Sequence, residues 1–512
     1  MQQSLPFKSW SLQRQQTRTL PWTALLAFAL PLLLYLFTLA PTIYNLDSAE
    51  LTTAVATGGI VRATGYPLYL ALGKLWVALL PVGDIAYRMN LFSAVCGAGT
   101  LLLVERTLQR WGVGTVARLG AVGLLASATY FWALSLIAEV YTLHTVLMMA
   151  LLLALLHWRE RPSATRLAGV GLLVGLGLSH HLATALLLPG VAFFLISSHW
   201  RATLRPKSLL SAAGATAVAL SCYFYLSYLY LQQPPFNYAG LYDSAGQFQA
   251  VDLTTVRGLW WLISGASFSG AMLAYDLAGL WHELGQFALQ LWQDFMAVGI
   301  GPALLGAGLL LRRDWRLGGL LLLFFVGNGL FYADYRVIDK ATMFLPNYVV
   351  MALWIGVGLA ALLRWVAAEG SDRRGPALLG AMVALTVAAS VALHWPLVDR
   401  SQDNSTRDNA TAILTTAEEN ALLIGWWDAI PAVEYLQRVE GERPDIQTLN
   451  RFLISHESLQ TLLHVSLGQR PIYVSELPPV AFHPMRYQPV GDWFRILPTL
   501  PPHRENVPLG TP

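Results

Sequence analysis

Long apolar runs alternate with short polar breaks along the chain, and the runs set the architecture. Leu20–Leu39, Leu209–Leu231 and Phe344–Leu363 are almost free of charge, and each matches the roughly 20 apolar residues a helix needs to cross a bilayer. The period-two alternation of a lipid-facing barrel strand is absent, so the pattern predicts an all-α polytopic membrane protein. Gly65–Pro81 is apolar but short and carries Lys74; it reads as an interfacial or re-entrant helix. Leu167–Ser198 has basic residues at both ends and so must cross twice as two short helices, with the turn at His180 and His181.

The polar breaks orient this array. Lys8, Arg14 and Arg18 precede the first run, and triplets recur at Arg106, Arg110 and Arg118, at Arg159, Arg161 and Arg166, and at Arg201, Arg205 and Lys207. Two more follow, Arg312, Arg313 and Arg316, then Arg364, Arg373 and Arg374. Basic residues collect in cytoplasmic loops, so all six clusters belong on one face. That condition gives about eleven spans and three regions: a cytoplasmic segment 1–19, a membrane domain 20–395 with a long external loop 40–87, and an extracytoplasmic domain 396–512. The first run lacks a small-residue cleavage site and reads as a retained anchor. The expected location is the plasma membrane.

After Pro396 the pattern changes. Ala421–Gly425, Ile446–Leu449 and Ile472–Val474 read as short strands between helical stretches, which predicts a small C-terminal α/β domain of βαβ type. No Gly-rich phosphate loop occurs in it.

Composition agrees with the membrane reading: 512 residues, 55% hydrophobic and 12% charged, with a mean hydropathy of +0.49, exceed what one soluble core can hide. The net charge of +3 is scattered between runs, so nucleic acid is not a partner. Cys96 and Cys222 both sit in apolar runs and read as core residues, not as a disulfide framework.

The strongest chemical signal is Ala40-Pro-Thr-Ile-Tyr-Asn-Leu-Asp-Ser-Ala-Glu-Leu51. On a helix, Asp47 and Glu50 share one face. Such a pair can serve as a general base or hold a divalent cation, Mg or Mn, against phosphate oxygens; alternatively, Asp47 caps the helix and Glu50 completes a capping pattern. Glu139, with Tyr141 and His144 nearby, lies at the mouth of an apolar hairpin, where ionisable groups at membrane depth tend to be functional. His180 and His181 mark the junction of short helices, a geometry used for binding. Arg336 and Lys340 are basic residues on the otherwise acidic face and suit a lipid phosphate; Arg62, Lys74 and Arg88 are weaker candidates for that role.

Asp47-Ser-Ala-Glu50, Gly65-Tyr-Pro-Leu-Tyr69 and Arg88-Met-Asn-Leu-Phe-Ser93 together resemble domain-of-unknown-function family 2723, as do Ala138–His144, Gly175–His181 and Tyr435–Asp445. The family is similar to type C glycosyltransferases and includes an animal protein O-mannosyltransferase, transmembrane protein 260. The resemblance implies a polyprenyl-phosphate sugar donor, an extracytoplasmic protein, glycan or lipid acceptor, and Asp47 as the catalytic acid or base with Glu50 in support. Tyr66, Arg88, Glu139, Tyr141, His144, His180, His181, Arg336 and Lys340 are the candidates for binding the donor and its lipid phosphate. Many members carry His-Pro-Pro before Gly-Tyr-Pro, where this chain has Arg62-Ala-Thr64. A transporter or flippase of a lipid-linked saccharide and a non-catalytic scaffold are the competing classes. Internal repeats, which a transporter would show, are not evident, and the acids gather on one face.

Overall fold

A computed structural model describes residues 22–369, 374–476 and 486–497. The segment 1–19, with Lys8, Arg14 and Arg18, and Arg373 lie outside the described residues.

The chain opens with α1 (Trp22–Thr38), α2 (Asp47–Thr57), α3 (Pro67–Leu79), α4 (Ile85–Arg110), α5 (Thr115–Ala126), α6 (Thr129–Ala133) and α7 (Tyr141–Glu160). Next come α8 (Ala164–His180), a 3-10 turn at Leu182–Leu187, α9 (Leu188–Thr203), α10 (Pro206–Leu220) and α11 (Phe224–Leu231). A β-hairpin, β1 (Gly240–Tyr242) and β2 (Phe248–Ala250), precedes α12 (Val256–Ile263), α13 (Leu277–Asp294), α14 (Ile300–Arg313), α15 (Trp315–Ala333), α16 (Leu345–Glu369) and α17 (Arg374–Val398). The remainder is α18 (Ser405–Thr416), β3 (Leu422–Gly425), α19 (Ile430–Tyr435), β4 (Gln447–Asn450), α20 (His456–Ser466), β5 (Ile472–Val474), β6 (Arg486–Val490) and β7 (Trp493–Leu497).

These elements form two compact units. Of the described residues, the first comprises those up to Thr42, Ala63–Gln232 and Leu253–Asp403; the second gathers Ile43–Arg62, Gln233–Asp252 and those from Asn404 onward. The expected boundary at residue 396 falls inside α17, and pieces of two loops of the membrane domain belong to the second unit.

The first unit is helical and membrane-spanning. Among the described residues, seven helical stretches are long and apolar enough to cross a bilayer: those at 85–110, 141–160, 182–203, 206–231, 315–333, 340–368 and 374–398. The other expected crossings fall on shorter or interrupted helices: α1, α5 with α6, α8, and the pair α13 and α14. In α10 and α17, Leu210, Val218, Leu378 and Leu385 are exposed, as lipid-facing residues are. The segment expected as a short interfacial helix is α3, thirteen residues opened by Pro67 at its first turn.

Helices in lipid gain nothing from hiding apolar surface from one another, so they associate through small residues that let backbones approach. Gly306 and Gly358 do this between α14 and α16: a Cβ on Gly306 would lie 1.9 Å from the Trp354 carbonyl oxygen, and one on Gly358 1.9 Å from that of Pro302. Gly171 and Gly175 of α8 do the same against Ala212 and Thr216 of α10.

The second unit contains a five-stranded sheet in the order β4-β3-β5-β7-β6. The three expected strands are present within a residue of their ends, and β3 runs parallel to both β4 and β5, as a βαβ arrangement requires. Leu422, Ile424, Leu449, Leu459, Leu463, Ile472 and Val474 make its core. β6 and β7 were not expected. They pair antiparallel, and Pro489 in β6 is tolerated because that strand is an edge.

The family-like stretch Tyr435–Asp445 has a structural job. Arg443 donates to the carbonyls of Leu414, Ala417 and Glu418 and pairs with Asp445, tying the end of α18 to the approach to β4.

Candidate functional site: a guanidinium clamp and a histidine cluster

Asp47 and Glu50 lie in the first turn of α2 and point to one partner. Arg62 donates its backbone N–H to Glu50 Oε1 at 2.7 Å, Nη1 to Glu50 Oε2 at 2.7 Å and Nη2 to Asp47 Oδ1 at 2.5 Å. Side-chain exposures of 16% for Arg62, 10% for Asp47 and 2% for Glu50 make this a largely desolvated triad. Its guanidinium carbon also lies 4.0 Å from the centre of the Trp427 ring, a cation–π contact. The capping alternative fails: Asp47 is already helical, and the cap position, Leu46, makes no side-chain cap bond.

Local backbone places Arg62. Gly58 ends α2 with φ 69°, a left-handed conformation in which glycine carries no Cβ penalty. A Cβ on Gly59 would lie 2.6 Å from the Phe236 carbonyl oxygen. The chain then pairs through Ile60 N–H to Phe236 O and Tyr238 N–H to Ile60 O, so Arg62 leaves a short ladder facing back toward α2. Trp427 is braced by the rings of Tyr238 at 5.2 Å and Phe452 at 5.3 Å. The Tyr238 hydroxyl donates to buried Glu434, which also accepts from Thr448; burial pushes the Glu434 carboxyl up, opposed by those two bonds.

Burial likewise pushes Glu50 up from 4.5 to about 8, with Arg62 pulling down and the Asp47 charge pushing up. The folded chain therefore holds a proton that the unfolded chain releases. This group's contribution to stability is full below the ordinary glutamate range and is lost as pH rises through about 8. Glu50→Gln, neutral at every pH, is expected to flatten the fall in thermal midpoint across that window; parallel wild-type and variant curves would refute the assignment.

With Arg62 in place the acid pair does not suit a divalent cation, because both Glu50 oxygens and Asp47 Oδ1 already accept from Arg62. No group of three metal-ligating side chains occurs among the described residues. In the same unit a polar cleft of about 240 Å³ is lined by Asn45, Asn409, Asp428, Ser475, Asp492 and Trp493, among others. Asn45 is two residues before Asp47, and Asp428 follows Trp427.

The first unit holds the remaining candidates. The rings of His144, His180 and His181 lie 5.6 to 6.4 Å apart. Tyr66 and Tyr141 flank His181 at 5.5 and 5.9 Å, and Tyr69 lies 6.1 Å from His180. Glu139 is buried, its backbone N–H donating to Ser93 Oγ.

Three expected phosphate ligands are engaged otherwise. Arg88 donates to the carbonyls of Val77, Val82 and Gly83, closing the α3–α4 connection. Lys340 pairs with Glu283 at 2.6 Å and reaches the Tyr275 hydroxyl. Arg336 donates to the Ala274 carbonyl and lies over the Tyr275 ring. Arg336 and Lys340 thus meet on one tyrosine. Arg62, a minor candidate on sequence, proves central, and Trp427 was missed. The one sequence signal for Arg62 was its replacement of the histidine of His-Pro-Pro.

Comparison with known proteins follows the same lines. Residues 47–204 match the family described as the Protein O-mannosyl-transferase TMEM260 N-terminal domain. Over 497 residues the chain is 25% identical to Protein O-mannosyl-transferase TMEM260 of Mus musculus, covering 90% of this chain and 66% of the mouse protein. The corresponding protein of Dictyostelium discoideum is 22% identical over 513 residues, covering 90% of this chain and 60% of its own. The chain therefore spans about two thirds or less of these relatives. Its structure is similar to that of ArnT from Cupriavidus metallidurans bound to undecaprenyl phosphate, with TM-score 0.58 and 13% identity over 93% of this chain and 98% of ArnT. The apo form of ArnT gives 0.53 and 13% over 92% and 97%. The chain shares the fold of ArnT, and the protein is a multi-pass membrane protein.

Proposed function

We propose that this chain, a relative of the TMEM260 proteins, moves a sugar from a polyprenyl-phosphate donor to an acceptor hydroxyl, with Asp47 as the proton acceptor. The observation that carries this reading is the Arg62 clamp. It takes Asp47 Oδ1 and both Glu50 oxygens. The guanidinium 2.5 Å from Oδ1 fixes how the Asp47 side chain is turned, and a positioned side chain is what general-base catalysis needs. The names of the relatives, protein O-mannosyl-transferases, and the undecaprenyl phosphate bound to ArnT favour a lipid-linked hexose such as mannose.

In the step envisaged, the acceptor oxygen forms a bond to the anomeric carbon as the bond from that carbon to phosphate oxygen breaks. The lipid phosphate leaves with the electron pair, and the hydroxyl proton passes to Asp47. Arg62 orients Asp47, and Glu50 holds Arg62. The polar cleft at Asn45 and Asp428 is the proposed acceptor entrance, since its amides, hydroxyls and carboxylates match a hydroxyl-bearing chain.

The test is transfer of labelled hexose from polyprenyl phosphate by the full chain in vesicles. Transfer that requires Asp47 supports the reading; movement of intact lipid-linked sugar across the bilayer without transfer would replace it with a transporter. The proposed orientation places the basic loops in the cytoplasm and the acid helix and C-terminal region outside the plasma membrane. Reporters fused after Arg118 and after Pro396 are then expected on opposite faces, and same-side labelling would overturn it.

A further inference from the structure

The histidine cluster carries unsatisfied chemistry of a definite kind. His144 is 2% exposed and His180 1%. Neither ring nitrogen of His144 has a hydrogen-bond partner, nor does His180 Nδ1. Buried polar atoms without partners are rare and call for an explanation such as a ligand, more so in helices that cross a membrane.

The bonds that are made determine what can fill the gap. His180 Nε2 lies 2.8 Å from the Val140 carbonyl oxygen. A carbonyl only accepts, so this nitrogen donates and the neutral ring leaves a bare lone pair on Nδ1. The Ala183 N–H donates to His181 Nδ1 at 3.0 Å, so in the neutral ring the His181 proton is on Nε2. His144, neutral, presents one donor and one acceptor. Whatever occupies the cluster must donate to His180 and both donate to and accept from His144.

This excludes two simpler occupants. A phosphate oxygen accepts, and an ionised phosphate has no proton to give to the His180 lone pair. A metal ion needs lone pairs, and that of His181 Nδ1 is already used by Ala183, which leaves two imidazoles. A hydroxyl both donates and accepts, and several on one ring can meet this set together. Tyr66, Tyr69 and Tyr141 add ring surface of the kind that packs against the C–H face of a sugar. The helix is also interrupted here: α8 stops at His180, and His181 is extended, with φ −150° and ψ 128°.

We propose that His144, His180 and His181 bind an uncharged polyhydroxylated ring, the sugar of the lipid-linked donor, and not its phosphate. The identification of the ligand with the donor sugar rests on the glycosyltransferase reading; the polyol chemistry does not. The experiment measures binding of three probes to the full chain in nanodiscs: polyprenyl-phosphate hexose, polyprenyl phosphate without sugar, and soluble methyl hexosides. His144→Phe keeps the volume and removes both hydrogen-bonding atoms; His144→Gln keeps one donor and one acceptor. Expected is a loss of about 10- to 100-fold in affinity for the sugar-bearing lipid and the methyl hexoside by His144→Phe, partial recovery by His144→Gln, and unchanged binding of the bare lipid phosphate.

Equal loss for both lipids would mean a phosphate or purely structural role and would overturn the proposal. So would unchanged hexoside binding, or a wild-type zinc affinity that His144→Phe abolishes. If wild type binds neither lipid, the glycosyltransferase reading fails while the hexoside arm still decides the nature of the cluster.

Discussion

Asp47→Asn is expected to reduce sugar transfer by about 100- to 10,000-fold, the usual contribution of a positioned general base, with the chain still folded. Asparagine is nearly isosteric and its carbonyl oxygen can still accept from Arg62 Nη2, so the clamp is retained in outline. It cannot take a proton. The variant thus separates chemistry from architecture: thermal stability is expected to change little beside the loss of rate. Glu50→Gln is expected to cost less, because Glu50 acts through Arg62. The rate of labelled hexose transfer checks both, and full transfer by the double variant would end the proposal that this pair performs the chemistry. A larger loss from Glu50→Gln than from Asp47→Asn would exchange their roles.

Arg62→Ala has the largest expected effect on stability, about 3 kcal/mol, the low end for breaking a buried ion pair. The low end applies because Arg62 retains 16% side-chain exposure. The loss has three parts: Asp47 is left without its cation, Glu50 loses its Nη1 partner, and Trp427 loses the guanidinium 4.0 Å above its ring. Arg62→Lys restores a charge without the planar fork and is expected to recover about half. The folded fraction in a denaturant series with full-length chain in detergent measures this. Wild-type stability in Arg62→Ala would mean the two acids find other partners, and the clamp would not be what holds α2 in place.

The comparison of Arg62 with Arg336 and Lys340 shows where sequence reasoning reached its limit. All were read as cations available to a phosphate. Whether a cation is available depends on what faces it, and for Arg62 that is a pair of carboxylates twelve and fifteen residues earlier. The partner of Lys340 is Glu283, 57 residues earlier. Basic residues near a membrane surface look alike in one dimension because charge is a property of the residue, whereas free charge is a property of its surroundings.

Other features were legible because they are local. Apolar run length identified the membrane helices, since a bilayer of fixed thickness imposes a length on every crossing. The i, i+3 spacing placed Asp47 and Glu50 on one helical face, because helical geometry is the same wherever a helix forms. The three parallel strands were readable from short apolar runs between helices, while β6, partly polar and at the sheet edge, and β7, with Arg495 at its centre, lacked that contrast.

The sequence by itself determined a polytopic helical membrane protein with an acidic first loop, a histidine turn and a small α/β region, each a matter of composition or short-range spacing. Only the tertiary structure decided that Ile43–Arg62 and Gln233–Asp252 belong with the C-terminal sheet, that Arg62 closes over the acids beneath Trp427, and that His144 and His180, buried with unmet hydrogen bonds, lie beside His181. The reason is physical: hydrogen-bond satisfaction and desolvation depend on which atoms meet in space, and separations of 36 residues between His144 and His180 or 365 between Arg62 and Trp427 leave no periodic trace along the chain.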